Sequence, residues 1–220
     1  MQELYSESQA TGGVRSLEIS KVLRNTYILL SATFAFSALT AWISAVIGAP
    51  FMGLWMLLPY FICLWMVEKT KNSVMGIFWV FALTGWLGFT IGPVLSLVAA
   101  SAGMQPILMA LGGTAVIFFG LSGYVLVSRK DLSFMGGFLM TGLLVAFVAG
   151  IANVFFQVQG LSLAVSSMFL LLSSGVIAWY TSKIIHGGET NYITATVMLF
   201  VALYNVFTSL LHLILSFTND

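Results

Sequence analysis

The chain has 220 residues, 60% of them hydrophobic and only 7% charged, and its mean hydropathy is +1.03. A soluble domain carries about 25% charged residues, so water is excluded as the solvent for most of the chain and the class is integral membrane protein. The net charge of +1 selects no partner, and the lone Cys63 excludes an intrachain disulfide and any paired-cysteine metal motif.

The first 25 residues are polar, lack apolar periodicity and are expected to form a flexible tail. Such a tail on a membrane protein is a segment that a processive protease or another partner can grip. The first apolar run, 26–47, is longer than the core of a cleavable signal and is expected to remain as a span. Further runs follow at 51–67, 74–98, 106–127, 134–156, 161–181 and 192–216, leaving a short end at 217–220. A membrane helix needs roughly 20 mostly apolar residues. The expected fold is therefore all-α, a polytopic membrane domain over 26–216 with seven transmembrane helices. The runs are continuous rather than alternating, which favours helices over a barrel. Pro93 falls in the later half of the third span, where it can introduce a kink.

Charge orients these spans. All eight Lys and Arg fall on one side of the count: Arg15, Lys21, Arg24, Lys69, Lys71, Arg129, Lys130 and Lys183. The opposite connections, near Gly48–Pro50, Ala99–Gln105 and Gln157–Gly160, carry none. The positive-inside rule then places the tail in the cytoplasm and, after an odd number of spans, the C-terminus outside.

Glycines recur in the middle spans. Gly88 and Gly92 form a GxxxG in the third, and Gly112, Gly113, Gly120 and Gly123 mark the fourth. Small residues let helix backbones approach closely. They are expected to pack helices within one chain, with a dimer face as the alternative.

The most polar stretch between two runs is KIIHGGETNYI, 183–193. As a hinge it is self-consistent. Lys183 and His186 suit the negative pole of a helix end, and Gly187 or Gly188 can take the left-handed conformation that stops the helix. Glu189 suits the positive pole of the next helix, and Thr190 or Asn191 can cap it. The alternative is a metal or proton site made by His186 and Glu189. Two ligands without a third make a weak site, so the hinge is the stronger reading.

In the last span Ala202, Asn205, Ser209, His212 and Ser216 recur at intervals of three and four, which places them on one helix face. A small and polar stripe faces protein or a water cavity rather than lipid. Asn153 and Gln157, near the outer end of the fifth span, match the depth of His212, and the three are expected to form an outer polar cluster. Ordinary interhelical hydrogen bonding is the competing explanation.

No Asp, Glu, Lys or Arg lies inside a predicted span, and neither HExxH nor a P-loop motif occurs. Serines and histidines in the spans lack an orienting acid. No cofactor or resident metal is expected, and an enzyme is not.

Three stretches carry a resemblance: KVLRNTY at 21–27, SRKDLSFMGGFLM at 128–140 and IIHGGETNYITATVMLFVALYNVF at 184–207. Together they resemble the Bax inhibitor-1 family over about 21–215. The resemblance implies a seven-helix bundle with the seventh helix central. Through its bacterial members it implies the inner membrane, with the N-terminus cytoplasmic and the C-terminus periplasmic. It also implies modulation of the membrane AAA protease FtsH, as inhibitor and slow substrate, in association with HflK and HflC. The cytoplasmic tail, about 1–20, is then the part the protease engages. Other members resemble pH-sensitive calcium leak channels gated by two aspartates. The corresponding positions here are Tyr180 and Ala202, neither acidic, so the resemblance does not carry that gate over. The turn from His186 through Gly187, Gly188, Glu189 and Thr190 to Asn191 is the family's recognisable signature.

Overall fold

The computed structural model describes residues 2–218, with side chains described from Leu17 onward apart from residues 159 and 218. The tail's first residue and the last two of the C-terminal end fall outside that range. Seven α-helices follow one another: α1 (Gln2–Val46), α2 (Leu57–Thr70), α3 (Val74–Ser101), α4 (Gln105–Ser128), α5 (Met135–Phe156), α6 (Gln159–Ile185) and α7 (Tyr192–Thr218). A 3-10 turn, Gly53–Met56, leads into α2.

Six of these helices, all but α2, are long and apolar enough to cross a membrane. At 14 residues α2 is shorter than the span expected over 51–67, because Pro50 and Gly53, the latter at φ +54°, hold the chain out of a regular helix before Leu57. The helix α1 begins at Gln2, well ahead of the start expected near residue 26.

The last helix, α7, packs against α1, α2, α3, α4 and α6. Ala195, Leu199, Phe200, Ala202, Leu203 and Val206 bring its buried side into the main core, together with Val176, Ile177 and Ile184 of α6. Phe119, Val116, Phe138 and Leu144 of α4 and α5 are exposed, as lipid-facing residues should be.

The closest helix crossing joins α1 to α3. A Cβ on Gly88 would stand 2.2 Å from the Ser37 carbonyl oxygen, and one on Gly92 would stand 2.5 Å from the Ala41 carbonyl oxygen. Only glycine permits that approach. Hydrocarbon supplies no hydrophobic drive between helices, so tight contact of this kind is what holds them together. The GxxxG of α3 is therefore a contact within the chain, whereas Gly112, Gly120 and Gly123 of α4 face open space.

Candidate functional site

Two polar regions stand out in the bundle. The first is the turn between α6 and α7. Helix α6 ends at His186, and Gly187 follows at φ +75°. The Gly188 N–H then bonds back to the Lys183 carbonyl at 2.9 Å, which closes the helix end. Asn191 opens α7: its Oδ1 accepts from the N–H groups of Ile193 at 2.9 Å and Thr194 at 3.2 Å. A side-chain oxygen in that place satisfies two donors that a helix start leaves free.

The same residues reach outward. The Asn191 side-chain amide donates to the Lys71 carbonyl and to Asn72 Oδ1, each at 2.9 Å, and so holds the α2–α3 loop. On the other flank His186 lies between two carbonyl oxygens, with Nδ1 2.8 Å from Ser182 and Nε2 3.1 Å from Arg129. Ser182 donates to the Lys130 carbonyl and accepts from the Leu132 N–H. His186 and Ser182 thus hold the α4–α5 loop. Within that loop the Ser133 hydroxyl and N–H donate to Asp131, which keeps its carboxyl below the usual carboxylate range.

Glu189 sits between these ties. Tyr180 donates its hydroxyl to Glu189 at 2.7 Å, the Asn191 N–H donates at 3.0 Å, and the Lys183 ammonium lies 3.6 Å away. The turn is therefore a knot joining three loops. His186 and Glu189 point to different partners and do not converge on a common point. Among the described residues no group of three or more His, Cys, Asp and Glu could hold a metal ion.

The second region is a cavity of about 770 Å³ bordered by α2, α3, α5, α6 and α7. Asn205, Ser209 and His212 line it, with Tyr60, Thr90, Tyr204, Thr208 and Ser166 adding hydroxyls. Ala202 is one turn removed, buried in the core. His212 is held by α6: Ser162 lies 3.1 Å from Nε2 and Ser166 3.1 Å from Nδ1. Asn153 and Gln157 are not brought to it. Asn153 instead closes the end of α5, its Oδ1 accepting from the Val158 N–H at 3.1 Å, and Gln157 takes the left-handed cap position at φ +52°. Depth along a span gives the expected level of a residue but not its direction, and here His212 is held by α6 rather than by the end of α5. Ser162 and Ser166 were detectable as a pair four residues apart on one face of α6. Nothing in the sequence marked Tyr60 or Thr90 as facing the same cavity.

Tyr180 and Ala202 are both buried, and the Tyr180 hydroxyl is directed at Glu189. The family model described as inhibitor of apoptosis-promoting Bax1 matches residues 19–219. The chain belongs to the Bax inhibitor-1 family. Within the family it is 52% identical over 200 residues to the Escherichia coli K12 protein named modulator of FtsH protease YccA, covering 90% of this chain and 91% of that one. The relative in Escherichia coli O6:H1, named inner membrane protein YccA, matches to the same extent. A membrane protein of Vibrio cholerae is 42% identical over 209 residues, with 94% of each chain covered. Names and helices together make this Bax inhibitor-1 family member a membrane protein. The Escherichia coli K12 relative is named as a protease modulator and not as an enzyme.

Proposed function

We propose that the chain is a modulator of the membrane protease FtsH, acting as a slow substrate and inhibitor in association with FtsH, HflK and HflC. The observation that carries this reading is the 52% identity, over nine-tenths of both chains, to a protein named modulator of FtsH protease. The inner membrane is its proposed place, with the N-terminus cytoplasmic and the C-terminus periplasmic. That orientation needs seven crossings. A short crossing through the 3-10 turn and α2 is compatible with their length: four residues at about 2.0 Å and fourteen at about 1.5 Å reach roughly 29 Å, close to the hydrocarbon thickness.

The handle for the protease is the tail, 1–20. The 45 residues of α1 extend about 68 Å, more than twice the hydrocarbon thickness, so a long stretch stands clear of the membrane on the tail's side. Pull-down from native membranes is expected to recover FtsH, HflK and HflC. Deleting 1–20 is expected to leave the protein inserted and to slow its own turnover. Unchanged turnover would remove the handle from the account.

A second reading, an ion leak pathway for calcium, is favoured by one observation, the cavity along α7, whose mainly apolar lining carries several hydroxyls, the Asn205 amide and His212. It lacks the acidic pair. Flux through liposomes that is lost in Asn205→Leu and His212→Leu would promote it over the first.

A further inference from the structure

The cavity along α7 lies in the half of the bundle away from the α6–α7 turn, and its lining on α7 runs from Val201 to Leu215, about 21 Å of helix. We infer that it binds an uncharged ring compound of the quinone class, dissolved in the bilayer, whose carbonyl oxygens are held by Asn205 and Ser209. Its volume, about 770 Å³, falls within the roughly 300–1,000 Å³ of small-molecule sites, and a mainly apolar wall with a few placed polar groups is the usual form of such a site.

Most polar groups on the wall are already engaged. Thr90 donates to the Leu87 carbonyl and Thr208 to the Tyr204 carbonyl, each at 2.9 Å. The Tyr204 hydroxyl meets Thr90, and both ring nitrogens of His212 face serines of α6. The Asn205 amide and the Ser209 and Tyr60 hydroxyls differ: none has a hydrogen-bond partner among the described residues. Ser209 is the telling case, because it is only 5% exposed. A helical serine or threonine commonly returns its hydroxyl to the carbonyl one turn back, as Ser167, Ser174, Thr196 and Ser216 do. Ser209 does not, and its hydroxyl is left to the cavity. A buried polar group without a partner is costly, so a ligand that brings an acceptor is favoured.

The wall carries no Asp, Glu, Lys or Arg, so a phosphate or a carboxylate would leave water without a countercharge. A neutral carbonyl meets no such penalty, and amides and hydroxyls both donate to it. Asn205 and Ser209, four residues apart on one helix face, stand about 5–6 Å apart at Cβ, within reach of oxygens on opposite sides of one ring. Aromatic side chains surround them: Tyr60 and Phe61 from α2, Phe147 from α5, Phe169 from α6 and Tyr204 from α7. Phe61 and Phe147 meet edge to face with centroids 6.0 Å apart, and a planar ring joins such a setting by offset stacking or edge contact. An acyl ester lacks that match. Phe51, Phe61 and Leu144 of the lining are exposed, so the cavity opens toward lipid and the ligand enters from the bilayer.

The test is photolabelling of the full chain in quinone-free phosphatidylcholine nanodiscs by a trace of azido-quinone, with adducts mapped to peptides. Label is expected on the α5–α7 peptides that border the cavity. Decylubiquinone is expected to displace it, and dioleoylglycerol and phosphatidylglycerol are not. The decylubiquinone concentration that displaces half the label should rise about two- to ten-fold in Ser209→Ala, the weight of one hydrogen bond, and at least as much in Asn205→Leu. Ser167→Ala, whose hydroxyl bonds to the Leu163 carbonyl away from the cavity, should leave it unchanged. Should Asn205→Leu fold poorly, Ser209→Ala decides alone. Label that decylubiquinone does not displace, equal displacement by dioleoylglycerol, or a half-displacing concentration that stays put in Ser209→Ala would each overturn the inference. None of these readouts involves FtsH or ion flux, so a failure here is separable from a failure of either reading above.

Discussion

Asn191→Ala probes the knot at the α6–α7 turn most directly. The change deletes an oxygen that caps α7 through Ile193 and Thr194, a loss of about 0.5–2 kcal/mol. It also deletes two donor bonds to the α2–α3 loop, at Lys71 and Asn72, each contributing about 0.5–1.5 kcal/mol. Together the loss is about 1.5–5 kcal/mol before the turn relaxes. Asn191→Asp separates the two parts. It keeps the capping oxygen and adds a charge favourable to a helix start. It also removes the amide donor and sets a carboxylate beside two oxygen acceptors. Hydrogen exchange in micelles resolves the outcome by segment. The alanine variant should lose protection both at the start of α7, over 192–196, and in the α2–α3 loop. The aspartate variant should lose it in the loop alone. Equal behaviour of the two variants, or protection unchanged in both, would refute the division of labour assigned to this side chain.

Three further outcomes follow from the packing and the loops. Gly88→Ala forces a Cβ to within 2.2 Å of the Ser37 carbonyl oxygen and should cost about 1–3 kcal/mol, whereas Gly112→Ala faces open space and should be neutral or slightly stabilising; thermal melts of the two variants in the same detergent compare them. His212→Phe strands the Ser162 and Ser166 hydroxyls, and a tryptophan or cysteine reporter on α6 near Ser162 should show that end loosening from α7 while the α6–α7 turn stays unchanged. The Asp131 carboxyl is held below its ordinary value by Ser133, so the order it lends the α4–α5 loop is present at neutral pH, above the unfolded carboxylate value. That order is lost as pH falls below about 4 through the lowered value. Limited proteolysis around residues 129–134 should become faster there, and Asp131→Ala should be cut quickly at both pH values.

Much of the architecture was legible because hydrocarbon imposes a simple rule on sequence: long apolar runs, with cations gathered between alternate pairs of them. The ends of α6 and α7 were legible for a local reason. Gly187 and Asn191 are the residue types that can stop and start a helix, and they act through neighbours within a few positions. Partners distant in sequence were not legible. That Asn191 would also hold Lys71 and Asn72, that His186 would reach the Arg129 carbonyl, and that His212 would turn to α6 and not to α5 all depend on how helices are rotated about their axes. The apolar pattern scarcely fixes that rotation here, since most helices are hydrophobic on every face. The short α2 was misjudged in length because its apolar run continues through the 3-10 turn, and composition does not register that change of geometry.

The modulator reading is tested most directly by reconstituting FtsH in proteoliposomes with this chain and following the degradation of a second membrane substrate. The account expects that degradation to slow in proportion to added chain, the chain itself to disappear gradually, and a chain lacking 1–20 to be spared. Undiminished degradation at saturating amounts, with the chain left intact, would contradict it.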